Sequence, residues 1–229
     1  EAGTGRRMTR YDSRRWFLAA CLAALAGYVD AIGFLKLGGL FVSFMSGNST
    51  RLAVGVAELS GIAGLALAIV AAFVGGVVAG SLTAHVAGTA RKAAVLIQVA
   101  VLLAVAAGLD ATVGRPYASL TLAAAMGTVN CVFQRNGEVS IGVSYMTGTL
   151  VKLGQHIANA CLGGKRFGWV PYLLLWTGLL AGATLGALAH GAFEAVSLVP
   201  AVAVAALLAW LAHRMGPAEP LRDMIRPAG

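Results

Sequence analysis

Long apolar runs separated by only a few residues leave this chain very little choice of architecture. Reading between charges and Gly/Pro breaks gives eight candidates: Trp16 to Phe34, Leu40 to Leu59, Ile62 to Val86, Ala93 to Leu109, Tyr117 to Phe133, Val139 to Leu162, Trp169 to Ala192 and Ala195 to Leu211. At roughly 20 residues per bilayer crossing, these runs occupy most of the 229 residues and leave no length for a soluble domain. With 59% apolar and 11% charged residues and a mean hydropathy of +0.81, the composition excludes a water-soluble globule, a disordered chain and a nucleic-acid binder. Backbone groups have no water to bond in lipid, so the crossings are expected to be helices. Nothing in the pattern resembles the short alternating strands of an outer-membrane barrel.

The net charge of +8 is a matter of position more than of sum. Glu1 to Arg15 holds five Arg against two acids, and Arg214 to Gly229 holds three Arg against two acids. Both tails are therefore expected in the cytoplasm, with 1–15 and 214–229 flanking one membrane domain over 16–213. The Arg-rich start, the apolar run and Ala24-Leu25-Ala26 also resemble a signal peptide, but cleavage there would detach Tyr28 and Asp30 from the repeat described next. Cys21, Cys131 and Cys161 fall inside apolar runs with no metal-ligand spacing and read as small core hydrophobes.

Comparing the chain with itself yields more than any other reading. Gly27-Tyr28-Val29-Asp30 is followed by Val42-Ser43-Phe44-Met45-Ser46-Gly47-Asn48, then Arg51-Leu52. Farther on, Gly127-Thr128-Val129-Asn130 is followed by Val143-Ser144-Tyr145-Met146-Thr147-Gly148-Thr149, then Lys152-Leu153. Gly76 and Gly80 follow in the first half, Gly182 and Gly186 in the second, each a spacing that lets two membrane helices approach closely. The sequence reads as a tandem duplication with copies at 16–110 and 117–213.

Topology depends on the motif-bearing segments, Leu40 to Leu59 and Val139 to Leu162. If both cross, the protein has eight crossings arranged four plus four, and the copies are parallel. If both are re-entrant, it is an all-α membrane protein of six full crossings plus two broken half-helix segments, and the copies are inverted. In the inverted arrangement the N-terminal tail, Arg91-Lys92, Lys165-Arg166 and the C-terminal tail share the cytoplasmic side, while Asp110 and Glu194 face outward, so the charge pattern favours it. One segment crossing and the other not is the third arrangement.

Each motif segment opens with Gly and β-branched or aromatic residues, which favour extended chain. Ser46-Gly47-Asn48 and Thr147-Gly148-Thr149 then read as helix starts, since short polar side chains accept bonds from first-turn amides. A helix that starts at mid-membrane exposes unpaired N–H groups and about half a positive charge, which suits a polar or anionic substrate. The expected binding set is Ser46, Gly47, Asn48, Arg51, Thr147, Gly148, Thr149 and Lys152, with Asp30, Asn130 and His156 in coupling or gating roles. Asp30 is expected to pair with Arg51 or Lys152, or to titrate as a proton-coupling site. Each feature has a plainer reading as well: the Gly pairs as kinks, Arg51 and Lys152 as cations reaching headgroups, Asp30 as half of a structural ion pair. Arg135 and Glu138 read as a solvated turn around Gly137. His85 and His190 read as interfacial, and Trp16, Trp169 and Trp210 as an aromatic belt.

No HExxH, GxSxG, P-loop or paired intramembrane Asp motif is present, so no enzyme activity, metal or cofactor is expected. The Gly27-Tyr28-Val29-Asp30-Ala31 string, the Phe41 to Asn48 stretch and Tyr145-Met146-Thr147-Gly148-Thr149 resemble the YoaK-like family of bacterial membrane proteins over nearly the whole chain. Ser46 stands where that pattern favours Thr and keeps the hydroxyl. The resemblance implies a multi-span bacterial inner-membrane protein and supplies no substrate. The residues themselves point to a small secondary transporter or channel for a small anion or organic acid, its partners being the bilayer and that solute. The alternatives are a non-transporting scaffold and an intramembrane enzyme acting on lipid. The paired glycines fit a homodimer as well as packing within one chain.

Overall fold

The structure, a computed structural model, describes residues 5–135, 138–139 and 141–216. Its helices are α1 (Gly5–Lys36), α2 (Met45–Ala57), α3 (Ile62–Ala87), α4 (Arg91–Thr112), α5 (Arg115–Val129), α6 (Met146–Cys161), α7 (Val170–Ala192) and α8 (Val199–Arg214). Two-residue strands β1 (Gln134–Arg135) and β2 (Glu138–Val139) pair antiparallel, with Arg135 opposite Glu138. The expected turn at Gly137 thus lies between paired strands and outside the described residues.

Three stretches are long and apolar enough to cross a membrane: Trp16–Lys36, Ile62–Thr112 and Val170–Ala192. The second contains both α3 and α4, joined by a short turn at Gly88–Ala90. α3 is apolar all round: Ile69 and Phe73 face inward, while Leu67, Val74, Val78 and Leu82 are exposed. An exposed face of that kind belongs in lipid. α5, α7 and α8 each open with Pro in the first turn, where a missing N–H costs nothing. α1 differs from the expected boundary at Trp16, because the helix begins at Gly5 and runs through the basic segment.

Two helix pairs make the closest contacts. Where α1 meets α7, a Cβ on Gly27, Gly182 or Gly186 would occupy the space of the carbonyl oxygens of Leu179, Ala24 and Tyr28 respectively. Where α3 meets α5, Gly127 faces the Phe73 carbonyl and Gly76 the Ala124 carbonyl, and Gly80 lies against Thr128. Thr128 Oγ1 bonds the Gly76 and Ala124 carbonyls at 3.0 and 2.9 Å, adding a side-chain link at the place of nearest backbone approach. Contact positions rise together along both members of each pair, so α1 runs parallel to α7 and α3 parallel to α5.

Charged pairs show which helix ends meet. Lys36 at the end of α1 pairs with Asp110 near the end of α4, and both side chains are largely buried. Arg115 at the start of α5 pairs with Glu194, just past α7, at 3.1 Å. At the opposite end, Trp16 meets Tyr172 edge-on with ring centroids 5.6 Å apart. α1, α4 and α7 therefore point one way, and α3 and α5 the other. Because α3 starts at the end where α1 finishes, the chain leaves that end at Lys36 and is back there by Ile62. The same holds at the other end for the stretch between α5 and α7.

Candidate functional site

The segment between α1 and α2 must turn inward without leaving polar backbone unpaired. α1 closes at Gly38 and Gly39, which take φ of +63° and +102°, values that cost other residues strain. Gly39 N donates to the Phe34 carbonyl across the helix end at 2.9 Å. The chain then runs without helix or strand through Leu40 and Val42, both fully buried, and bends at Val42 and Ser43. Two side chains secure it. Asp30 Oδ1 accepts from the amides of Val42 and Ser43, each at 2.8 Å. Asn48, itself fully buried, accepts from Phe41 N at 2.9 Å and donates to the Phe41 carbonyl at 2.6 Å. Phe41 is held in turn by Phe34 and Phe44, with centroids 4.9 and 5.3 Å away. Asp30 lies six residues before Lys36, which places the start of α2 about 9 Å below the end of α1 at 1.5 Å per residue.

Before α6 the same task is carried by neutral groups. Asn130 Nδ2 donates to the Met126 carbonyl at 2.9 Å, and its Oδ1 accepts from Ser144 Oγ at 3.0 Å. Thr149 Oγ1 donates to the Tyr145 carbonyl at 3.1 Å.

These partners overturn two sequence expectations. Asp30 binds backbone amides rather than Arg51 or Lys152, because the unwound segment beside it offers donors in a place with little water. Asn48 bonds backward to the unwound segment and Thr149 to the residue before its helix instead of capping the first turn. The residues flanking the two starts are Phe44 and Tyr145, and neither α2 nor α6 has a side-chain cap. At α6 the Met146 amide donates to the Ser144 carbonyl at 2.9 Å, and the remaining first-turn amides have the unpaired character of a helix start.

The two starts face one another across a cavity of about 260 Å³. It is lined by matched residues from the two strings: Ser43 and Ser144, Phe44 and Tyr145, Met45 and Met146, Ser46 and Thr147. Gly148 and Phe73 of α3 complete it. Of the expected binding residues, Ser46, Thr147 and Gly148 line this space. Gly47 packs against the Phe44 and Phe41 rings, and Asn48 and Thr149 stand behind the wall as anchors.

Arg51 and Lys152 lie elsewhere. The Arg51 guanidinium covers Gly39, and Lys152 is exposed on α6. At 3.6 residues per turn, five residues beyond Ser46 or Thr147 is about 140° round the helix, so neither base shares the face of its hydroxyl. His156 stacks on Tyr172, with centroids 4.8 Å apart, and takes no part in the cavity. The lining carries no charged side chain, and Asp30 bonds the approach to α2 alone.

The sequence does not announce Phe73, the Ser-aromatic-Met positions as lining, or Lys36 with Asp110. Only the Ser-aromatic-Met positions have a signal, in the repeated string itself, whereas Phe73 lies outside it. The ion pair spans 74 residues of sequence and has none.

The family model described as protein of unknown function (DUF1275) matches residues 18–211. A UPF0700 transmembrane protein of Rhizobium meliloti (strain 1021) is 33% identical over 193 residues, covering 84% of this chain and 84% of that protein. No solved structure matches the chain. The residues matched include both helix starts, the cavity between them and the four helices of the two close pairs, and the chain belongs to the DUF1275 family, the YoaK-like group of transmembrane proteins.

Proposed function

We propose that this protein is a small secondary transporter or channel of the bacterial inner membrane, holding its substrate between the starts of α2 and α6. The reading takes α1, α3, α4, α5, α7 and α8 as six crossings and α2 and α6 as half-helices that return to the side they left. It takes the two halves of the chain as inverted copies. In support, Gly27 meets Leu179 as Gly127 meets Phe73, and Gly182 meets Ala24 as Gly76 meets Ala124. Arg91, Lys92, Lys165 and Arg166 fall at one end of the bundle, which the positive-inside bias assigns to the cytoplasm together with both termini.

The observation that carries the proposal is the cavity itself, built from the same four positions of both strings. Its volume of about 260 Å³ suits a solute smaller than drug-sized ligands, whose pockets begin near 300 Å³. Acceptor oxygens on that solute would meet the hydroxyls of Ser46 and Thr147 and the first-turn amides, so a small anion or organic acid is the favoured class. The Asp30 carboxylate offsets the positive end of α2, whereas Asn130 leaves that of α6 uncompensated, making the α6 side the stronger for an anion. Arg51 and Lys152 act on the potential through space and not by contact. Release of Val42 and Ser43 by Asp30 would free the α2 start, which is the gating role left to it.

Proteoliposomes loaded with protein should take up labelled formate, acetate or lactate faster than empty liposomes. Ser46→Leu and Thr147→Leu, which fill the cavity from either side, should abolish the difference while leaving the unfolding transition in detergent in place. Equal flux with and without protein for every carboxylate, or undiminished flux in both variants, would overturn the reading.

A further inference from the structure

A second recess lies on the outer surface, far from the half-helix starts. α4 and α8 pack together, and Leu96, Val99 and Leu103 of α4 and Ala205, Leu208 and Ala212 of α8 are buried in the bundle. Beside that seam the sequence places small residues, Ala93, Ala100 and Ala104 on α4 with Ala206 and Ala209 on α8, and they leave a groove of about 530 Å³. Its walls are almost wholly apolar. At 1.5 Å per residue the groove runs about 16 Å from Ala93 to Ala104, half of a hydrocarbon slab about 30 Å thick. It spans one leaflet.

The groove ends in chemistry of another kind. Ala93 and His213 belong both to the groove and to a smaller recess of about 230 Å³ that adds Thr89 and Lys92. Arg214 stands next along the chain with its guanidinium over the Trp210 ring, 5.0 Å from the centroid, and Trp210 forms the groove wall just inside. An apolar trough one leaflet long, an indole at its rim and a mouth with a Lys ammonium, an imidazole and a hydroxyl reproduce the profile of a lipid from chain to headgroup.

We propose that this groove binds an anionic phospholipid, with one acyl chain along α4 and α8 and the phosphate at the mouth formed by Thr89, Lys92 and His213. A packed helix from a second copy fits less well: it would need apolar contact through the full slab, whereas the trough stops halfway. The inference stands on α4, the turn before it and α8, and does not depend on transport.

The test uses the full chain in non-ionic detergent, titrated with palmitoyl-oleoyl phosphatidylglycerol, the phosphatidylcholine of the same chains, or inorganic phosphate, and read by native mass spectrometry and the thermal transition. Phosphatidylglycerol should remain as a bound adduct and raise the transition; phosphatidylcholine should bind more weakly and inorganic phosphate not at all. Lys92→Ala should weaken phosphatidylglycerol about fivefold without affecting phosphatidylcholine. Ala104→Trp and Val101→Trp, both at exposed positions, should eject both lipids. Four results would overturn the proposal: equal binding of the two lipids by the parent, retention of phosphatidylglycerol by both tryptophan variants, stabilisation by phosphate alone, or a dimer that Ala104→Trp dissolves while lipid adducts persist.

Discussion

The approaches to α2 and α6 solve one problem with different chemistry. In both, a non-helical segment inside an apolar bundle needs partners for its backbone, and in both a side chain from the end of the preceding helix takes part. On the α2 side a carboxylate accepts two amides, and a buried amide side chain clasps Phe41 on both its faces. On the α6 side Asn130 reaches the segment only through the Ser144 hydroxyl, and Thr149 returns to its own helix. The start of a half-helix thus tolerates a change from charged to neutral support, provided hydrogen bonds to the segment persist. What changes is the electrostatic balance at each start and how firmly the approach is held.

Breaking the firmer side should cost most. Asp30→Leu strands two buried amides at once and is expected to lower unfolding free energy by about 4 kcal/mol, measured by chemical denaturation in mixed micelles. Asn130→Leu on the other side should lose only about 2 kcal/mol; equal losses would show that charge is not what makes the α2 side firm. Asn48→Thr, which gives α2 the residue found on α6, should forfeit the clasp on Phe41 and cost about 2 kcal/mol. The matching position on α6 is less sensitive. Thr149→Val removes one local bond and should cost less than about 1 kcal/mol, and a larger loss would mean that the two sides are equally firm.

How much of this was readable beforehand depends on distance along the chain. The repeated strings marked the helix starts to within a residue, Met45 and Met146 against Ser46 and Thr147, because extended and helical preferences change there. The glycine spacings marked the positions of close approach, because only a missing Cβ admits a carbonyl at that range. Arg51 and Lys152 escape the string for the opposite reason: adjacency in a string is not adjacency in space, because a helix turns neighbours away from each other. The string suggests a cation beside Asp30 because residue types announce charges but not unwound amides. Which helix receives which glycine face, and that Lys36 meets Asp110, depends on how distant segments come together, and no local pattern records it.

The cross-pairing of α1 with α7 and of α3 with α5 has a consequence for how the molecule is made. During synthesis the first helix does not meet its glycine-matched partner until the seventh emerges, nor the third until the fifth. The early half therefore waits in the bilayer with its bare glycine faces unoccupied, and assembly completes late and all together. A gene divided in the short connection between α4 and α5 should yield two fragments that are each degraded alone and recover a stable complex only when produced in the same cell.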